Sequence, residues 1–590
     1  MEEPELLLVI SVLGLCFWGQ VGADGSNHRY KPGDKVPIYV NLVGPFHNPS
    51  ETYSYYDFPF CHPDNVKEKK ASLGEVLHGD RLTSAPYKLE FLVGKDFELA
   101  CRKNLTKKEV SLFRKAVSSD YYFQMYYDDL PIWGFLGKMD RPGIGDSDQN
   151  NYSIFNHLTF EVFYNKDRVI EITVRTDSYD VVDLNEDKEL CIQFIYTVKW
   201  SKTSIPFEKR MIKYSASSSL PHVLEEHKFS ITNSSVITLI LTICLVTYYI
   251  QVIRKAFNSS HDEELADNQE KTGWKNIHGD VFQYPNYKLL FAAALGSGTQ
   301  LLTIAAFILI LGLLGVFYPC NRGILWTALV VTYASTSGVA GYTSAFVYCQ
   351  FEGMEWAKNF LLTGFLFCGP LIFTFGFLNY VAFTYKATAA MPSGTIFLLV
   401  LVWALVALPL LTFCGIVGSK VKATNQTPFR TTNSPSAIPP GPWYMDVLPQ
   451  MALAGILPFG VIYTELYYIF GSLWGHRIYT IYTILVIVFI ILLIVTSLVT
   501  IALIYFQLAV GNHQWWWRSF LYGGSVALYV YGYCFFYYFS SSEWSGLLQI
   551  SFFFSYMACV SYGMFLMLGT VGFTSSFLFI RHIYGSIKFD

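Results

Sequence analysis

From about residue 232 onward the chain is a succession of apolar stretches of roughly 20 residues or more, the length needed to cross a hydrocarbon core of about 30 Å. Lipid offers no partner for backbone N–H and C=O groups, so each stretch has to be a helix whose backbone bonds close within itself. The stretches fall near 234–253, 289–317, 325–349, 357–381, 395–417, 447–470, 478–508, 517–538 and 546–580. Nine spans make an odd number, so the segments before the first and after the last lie on opposite sides of the membrane.

The first 230 residues are different material. The opening segment carries an apolar run from Leu6 to Trp18, too short to span, followed by the small residues Val21, Gly22 and Ala23. That order predicts a signal peptide over 1–23, cleaved after Ala23. Its leading residues are acidic rather than basic, which leaves an uncleaved anchor as the alternative; both readings send residues 24–230 into the lumen of the secretory pathway. Residues 231–590 form the membrane domain with a short cytosolic tail.

Residues 24–230 read mainly as strands. The even positions Leu158, Phe160, Val162, Ile170, Ile172 and Val174 are apolar, as are Leu190, Ile192, Phe194, Tyr196, Val198 and Trp200. Period two marks half-buried strands. Thr106 and Glu109 form a Thr-x-x-Glu capping box that starts a helix at "VSLFRKAV". Sequons at Asn104, Asn151 and Asn233 suit a glycosylated lumenal surface. Only Cys61, Cys101 and Cys191 belong to this region, enough for one disulfide. Cys61 with Cys101 is the favoured pair, and Cys191 with Cys320 is a second arrangement.

Loop charges give an independent reading of orientation. With a lumenal N-terminal domain, the cytosolic connections hold Arg254, Lys255, Lys271, Lys275, Lys288, Lys358, Lys420, Lys422, Arg430 and Arg518, against Arg322, Lys386 and Arg477 in the lumenal ones. This is the positive-inside bias, and it puts the C-terminus in the cytosol. The sequons at Asn258 and Asn425 then stay unmodified.

The stretches "YYDFPFC" (Tyr55–Cys61), "SLGEVLHGDR" (Ser72–Arg81), "GWKNIHGDVFQYP" (Gly273–Pro285), "GSGTQ" (Gly296–Gln300), "IPPGPWY" (Ile438–Tyr444), "ELYYIFGSLWG" (Glu465–Gly475), "WWWRSF" (Trp515–Phe520) and "FLMLGTVGF" (Phe565–Phe573) resemble the nonaspanins, the transmembrane-9 superfamily, over nearly the whole mature chain. The chain departs from the usual pattern in "LAVGNHQWWW", which lacks acidic residues, and at Gln283, where a basic residue is common. The resemblance implies a multi-pass α-helical membrane protein: nine transmembrane helices beneath an N-terminal lumenal, mainly β, sandwich-like domain. It further implies residence in Golgi and endosomal membranes and a role in sorting membrane-protein cargo.

Candidate sites follow. Lys588, Phe589 and Asp590 resemble the Lys-x-Asp/Glu ending by which nonaspanins engage the coatomer coat, a cation next to paired carboxylates at the end of an extended peptide. Glu465 is acidic well inside the sixth span, where ionisation is costly, so it predicts a cavity, a partner or a proton. A tyrosine-bonded helix contact would serve equally. Glycines in "GSGTQ" and "STSGVAGYTSA" read as close helix packing, with a groove for a cargo helix as the second reading. The His78 and His278 "HGD" turns lack a second ligand cluster, and the tryptophans of "WWWR" read as interfacial anchors.

Nothing resembles a nucleophile with its base, a catalytic metal or a cofactor loop, so the expectation is a protein without enzymatic activity and without cofactors. The net charge of −3 gives no basic field for nucleic acid. The expected partners are coatomer, membrane-protein cargo and membrane lipids. The alternative is a proton-linked transporter or lipid-moving protein with a cavity near Glu465.

Overall fold

The computed structural model describes residues 28–210 except 49, 64, 141–150 and 177–180, parts of 232–251, residue 277, and residues 280–317, 323–421, 442–474, 482–540 and 546–586. Two compact units emerge. The first comprises Met1–Ala216, Tyr318–Thr327 and Asn379–Thr395, and the second Ser217–Phe317, Ala328–Leu378 and Ile396–Asp590.

The first unit is built on strands β1 (Ile38–Pro45), β2 (Tyr53–Ser54), β3 (Thr83–Ser84), β4 (Lys95–Leu105), β5 (Tyr121–Tyr127) and β6 (Leu130–Phe135). They are followed by β7 (Gly137–Asp140), β8 (Asn151–Phe155), β9 (His157–Asn165), β10 (Arg168–Thr176), β11 (Val181–Asp183) and β12 (Leu190–Lys202). One sheet runs β2-β1-β5-β6 with β3 also on β1, a second runs β10-β9-β12-β4, and a third runs β11-β8-β7. Both larger sheets feed one apolar core: Val40, Met125 and Ile132 come from the first, Phe160, Ile172 and Ile192 from the second.

The alternation expected over 158–174 holds for Leu158, Phe160, Val162, Ile170 and Ile172, all buried. Val169 is buried too, because the β9–β10 register shifts between Val169 and Glu171 and the bulge turns two neighbours inward.

Two short helices sit on these strands, each opened by a reciprocal capping box. Helix α1 (Leu73–His78) uses Ser72 and Glu75 and ends at Gly79, whose φ of +94° suits glycine. Helix α2 (Lys107–Ser118) uses Thr106 and Glu109, as the sequence predicts. The N–H and hydroxyl of Thr106 both donate to the Glu109 carboxylate and hold its pKa below the usual value.

The segment after α1 fastens the two later connections to the β-rich part. Arg81 donates from its guanidinium to the carbonyl of Ala390 (2.9 Å), while Asn41 accepts the Arg81 amide (2.8 Å) and donates to Asp80 (2.8 Å). Burial lowers the Arg81 pKa, with Asp80 and Glu68 opposing. Gly74 lies directly against the Gly323 backbone, and a Cβ at either position would overlap the other.

The second unit is helical. Its long helices are α3 (Lys288–Leu313), α4 (Ile324–Gln350), α5 (Trp356–Thr384), α6 (Ser393–Val402), α7 (Leu408–Lys420), α8 (Val447–Leu473) and α9 (Tyr482–Ala509). They are completed by α10 (Trp516–Gly524), α11 (Val526–Ser540) and α12 (Leu547–Ser586). Helices α6 and α7 form one span through a π-turn at Trp403–Ala407, because Pro409 has no N–H for the regular ladder.

Among the described residues, seven helices are long and apolar enough to cross a membrane, counting α6–α7 once. The eighth expected span is divided at Ser525, which donates both its N–H (3.3 Å) and its hydroxyl (2.7 Å) to the Tyr522 carbonyl and so tightens the turn. Of the first expected span, a helix over Ser235–Cys244 is described.

Candidate functional site: the polar interior of the helix bundle

Glu465 lies on the inner stripe of α8 with Ala454, Gly455, Pro458, Val461, Ile462, Leu466 and Phe470, and is 1% exposed. Spacings of three and four residues place these side chains on one face. Val461, Ile462, Leu466 and Phe470 share a core with Val488, Leu492 and Val495 of α9. The side chain is thus buried within the helix bundle. Pro458 interrupts the ladder of α8 two turns earlier.

A second polar cluster, which period and motif did not reveal, joins α3, α4 and α5. Ser344 donates to the Oδ1 of Asn359 (3.0 Å) and meets the Thr363 hydroxyl (2.8 Å), and Ser297 donates to the Thr363 carbonyl (3.3 Å). Gln300, the last residue of "GSGTQ", donates to the Tyr333 carbonyl (3.0 Å). The sequence signal was present as a Ser, Thr or Asn on each helix, but lone hydroxyl residues in apolar helices are too common to single these out.

The glycines close the bundle instead of opening it. A Cβ at Gly296 would meet the Ala340 carbonyl and the Cβ of Ser344, both at 2.7 Å; Gly298 is pressed against Leu566 and Thr570, and Gly341 against Leu411. Helices of this same chain therefore occupy the small-residue faces of "GSGTQ" and "STSGVAGYTSA", and the packing reading replaces that of a cargo groove at these positions.

The tryptophan run also departs from expectation. Trp515 is fully buried in a mutual cluster with Trp516 (4.5 Å) and Phe573 (5.8 Å), and its indole N–H donates to the Val281 carbonyl at 2.8 Å. Trp517 donates to the Asn286 carbonyl at 2.7 Å. The run locks the 281–286 segment to the bundle, and hydrogen bonds to backbone carbonyls replace the interfacial anchoring expected from composition. Arg518 donates to the Met445 carbonyl (3.1 Å), tying in the end of the "IPPGPWY" stretch as well.

The remaining sequence-predicted positions are spread through the molecule. Lys588, Phe589 and Asp590 lie outside the described residues, as does Asn425. Asn104, Asn151 and Asn233 are exposed. Cys61 and Cys101 are joined by a disulfide, and Cys191 is an exposed free thiol. Among the described residues no group of three His, Cys, Asp or Glu side chains is placed to hold a metal ion.

Comparison with known proteins fits this architecture. Residues 52–547 match the family model described as Endomembrane protein 70. The chain is 62% identical over 590 residues to Transmembrane 9 superfamily member 2 of Arabidopsis thaliana, covering 100% of both chains. It is 63% identical over 567 residues to member 4 of the same plant, covering 96% of each. Transmembrane 9 superfamily member 1 of Bos taurus is 39% identical over 596 residues, covering 99% of this chain and 97% of the relative. No solved structure matches. With a β-rich N-terminal unit, a bundle of membrane-length helices and similarity that runs from end to end, the chain belongs to the transmembrane 9 superfamily.

Proposed function

We propose that this protein sorts membrane-protein cargo in Golgi and endosomal membranes and is not an enzyme. Its lumenal unit and helix bundle hold cargo, while Lys588, Phe589 and Asp590 engage coatomer from the cytosolic side. The observation that carries the reading is the membership of the first unit. It contains Tyr318–Thr327 and Asn379–Thr395, two of the four connections that a nine-span count assigns to the side of the N-terminal domain, and the same count delivers the tail to the opposite side. The enclosed setting of Glu465 and the glycines closed by internal packing also favour a scaffold over an open conduction path.

The test is to replace Lys588 and Asp590 by alanine in the full-length protein. Abundance stays at the wild-type level, steady-state location shifts from the Golgi toward the cell surface or lysosomes, and coatomer binding to a tail peptide drops. Lys588→Arg separates a receptor shaped for a compact ammonium from one that accepts any cation. Unchanged location and exit rate in the double variant overturn the role of the tail, and robust solute or lipid flux by the purified protein overturns the sorting reading.

A further inference from the structure

A sheet with one face on the core and the other in water carries polar side chains on the outer face. The second sheet obeys: Glu161, Glu171, Arg175 and Lys199 alternate with the core residues Phe160, Ile172 and Val198, and Arg175 pairs with Glu161 at 3.1 Å. The first sheet does not. On β5 and β6 the positions that alternate with core residues such as Phe123, Met125 and Ile132 are Tyr122, Gln124, Tyr126, Pro131, Trp133 and Phe135, none of them charged.

Trp133 and Phe135 are each 45% exposed, and Phe46, which follows β1, is 38% exposed. Their rings gather in one patch. Phe46 lies 5.5 Å from Phe135 and 6.0 Å from Tyr122, the residue opposite Phe135 in the β5–β6 ladder, and Trp133 is two residues before Phe135 on the same face. Large exposed rings side by side, on a domain whose other sheet is polar outside, mark a contact surface.

What the patch faces follows from its neighbours in the sheet. Trp133 is opposite Gln124, whose Oε1 accepts from Asn41 on β1 at 3.0 Å. Asn41 accepts the Arg81 amide, and the Arg81 guanidinium donates to the Ala390 carbonyl. Adjacent strands are about 4.8 Å apart, so Trp133 stands about 10 Å along the same face from the residue that leads to Ala390. On the Phe46 side, the carbonyl of Thr52 accepts from Thr388.

Thr388 and Ala390 belong to the short connection between α5, which ends at Thr384, and α6, which starts at Ser393. Both helices are parts of membrane-length apolar spans. Tyr380 and Phe383, in the last turns of α5, are exposed aromatic rings of the kind that mark the boundary between hydrocarbon and water. The outer face of the first sheet is therefore turned toward the boundary from which this connection emerges. An indole and two phenyl rings suit that layer. A sugar would need polar groups beside the rings, yet both ends of the Gln124 carboxamide are engaged within the sheet, Oε1 with Asn41 and Nε2 with the Tyr126 hydroxyl at 3.0 Å. We infer that Phe46, Trp133 and Phe135 seat in the headgroup–acyl boundary of the leaflet on the side of the α5–α6 connection, which makes the outer face of the first sheet a lipid-binding surface.

The experiment uses the full-length protein in phosphatidylcholine nanodiscs that include a phosphatidylcholine with a diazirine near the glycerol end of one acyl chain. After irradiation, mass spectrometry finds lipid adducts on the β6 peptide about tenfold above those on the β4 peptide. The β4 peptide is the reference because its Phe97 is 69% exposed at the edge of the second sheet. In the double variant Trp133→Gln, Phe135→Gln, adducts on the peptide containing Phe46 fall severalfold while the protein elutes as a single species. Should that variant fail to fold, the comparison of β6 with β4 in the wild-type protein decides the same question. Adducts on β6 no more abundant than on β4, or undiminished labelling at Phe46 in a folded double variant, overturn the inference. Capture of a second copy of the chain instead of lipid, by p-benzoylphenylalanine in place of Trp133, overturns it in favour of self-association. Suppression of β6 labelling by a soluble oligosaccharide overturns the lipid assignment in favour of a sugar.

Discussion

Thr388 donates its backbone N–H to the carbonyl of Thr52 at 2.8 Å, and the hydroxyls of the two residues meet at 2.6 Å. A strand-flanking residue of the β-rich part and a residue in the α5–α6 connection, 336 positions apart, are thereby held as if in one ladder. With Arg81 on Ala390 and Gly74 on Gly323, this contact makes the two connections part of the first unit's own structure.

Gly74→Ala tests that arrangement. The added methyl group meets the Gly323 carbonyl and the Thr327 hydroxyl, and backbone cannot move aside cheaply. Overpacking of this kind costs about 1–3 kcal/mol, visible as a lower melting temperature of the detergent-solubilised protein. Gly94→Ala is the control, since its nearest neighbour stands 3.6 Å from the new methyl group. Equal melting of the two variants removes Gly74 from the contact.

Trp515→Phe destabilises more than Trp517→Phe. The first substitution strands the buried Val281 carbonyl and leaves part of an indole-sized space, while Trp517 is less enclosed and solvent can replace its bond. An unsatisfied buried acceptor costs about 1–3 kcal/mol before any cavity is counted. Limited proteolysis near residues 281–286 reads the difference directly, and parity between the variants contradicts the lock.

Glu465→Gln keeps the shape of the side chain and removes its ionisable proton. The variant reaches wild-type abundance and disturbs sorting of cargo. Normal sorting by Glu465→Gln, together with misfolding of Glu465→Leu, would instead assign the residue to helix packing alone.

Asn104 and Cys191 are opposite each other across β4 and β12, both exposed. A glycan on Asn104 therefore stands over the free thiol. In Asn104→Gln the rate of maleimide modification of Cys191 rises, because thiol reactivity follows access. Glycosidase-shift analysis of the same samples finds glycan at Asn104 and none at Asn425; glycan at Asn425 breaks the nine-span orientation.

Some features were legible in the order of residues because they depend on local physics. Hydrophobic length decides what must be a membrane helix, so α3 through α9 and α12 lie where the apolar runs lie. The Thr106–Glu109 box closes within four residues, and the alternation through Phe160 and Val162 follows from the pleat of a strand. The full-length likeness to the superfamily likewise rests on linear motifs such as "IPPGPWY" and "WWWRSF". What the sequence could not disclose depends on which distant surfaces meet. Glu465 reads as costly wherever it stands, but only packing shows that its face of α8 is buried in the bundle. Glycines permit close approach without naming the neighbour, and the fold presses Gly296 against α4 and Gly298 against α12. An indole suits an interface and a core equally well, and the carbonyl of Val281, 234 residues away, settles Trp515 in the core. Composition and period are properties of a segment; a buried hydrogen bond is a property of the pair of surfaces that folding brings together.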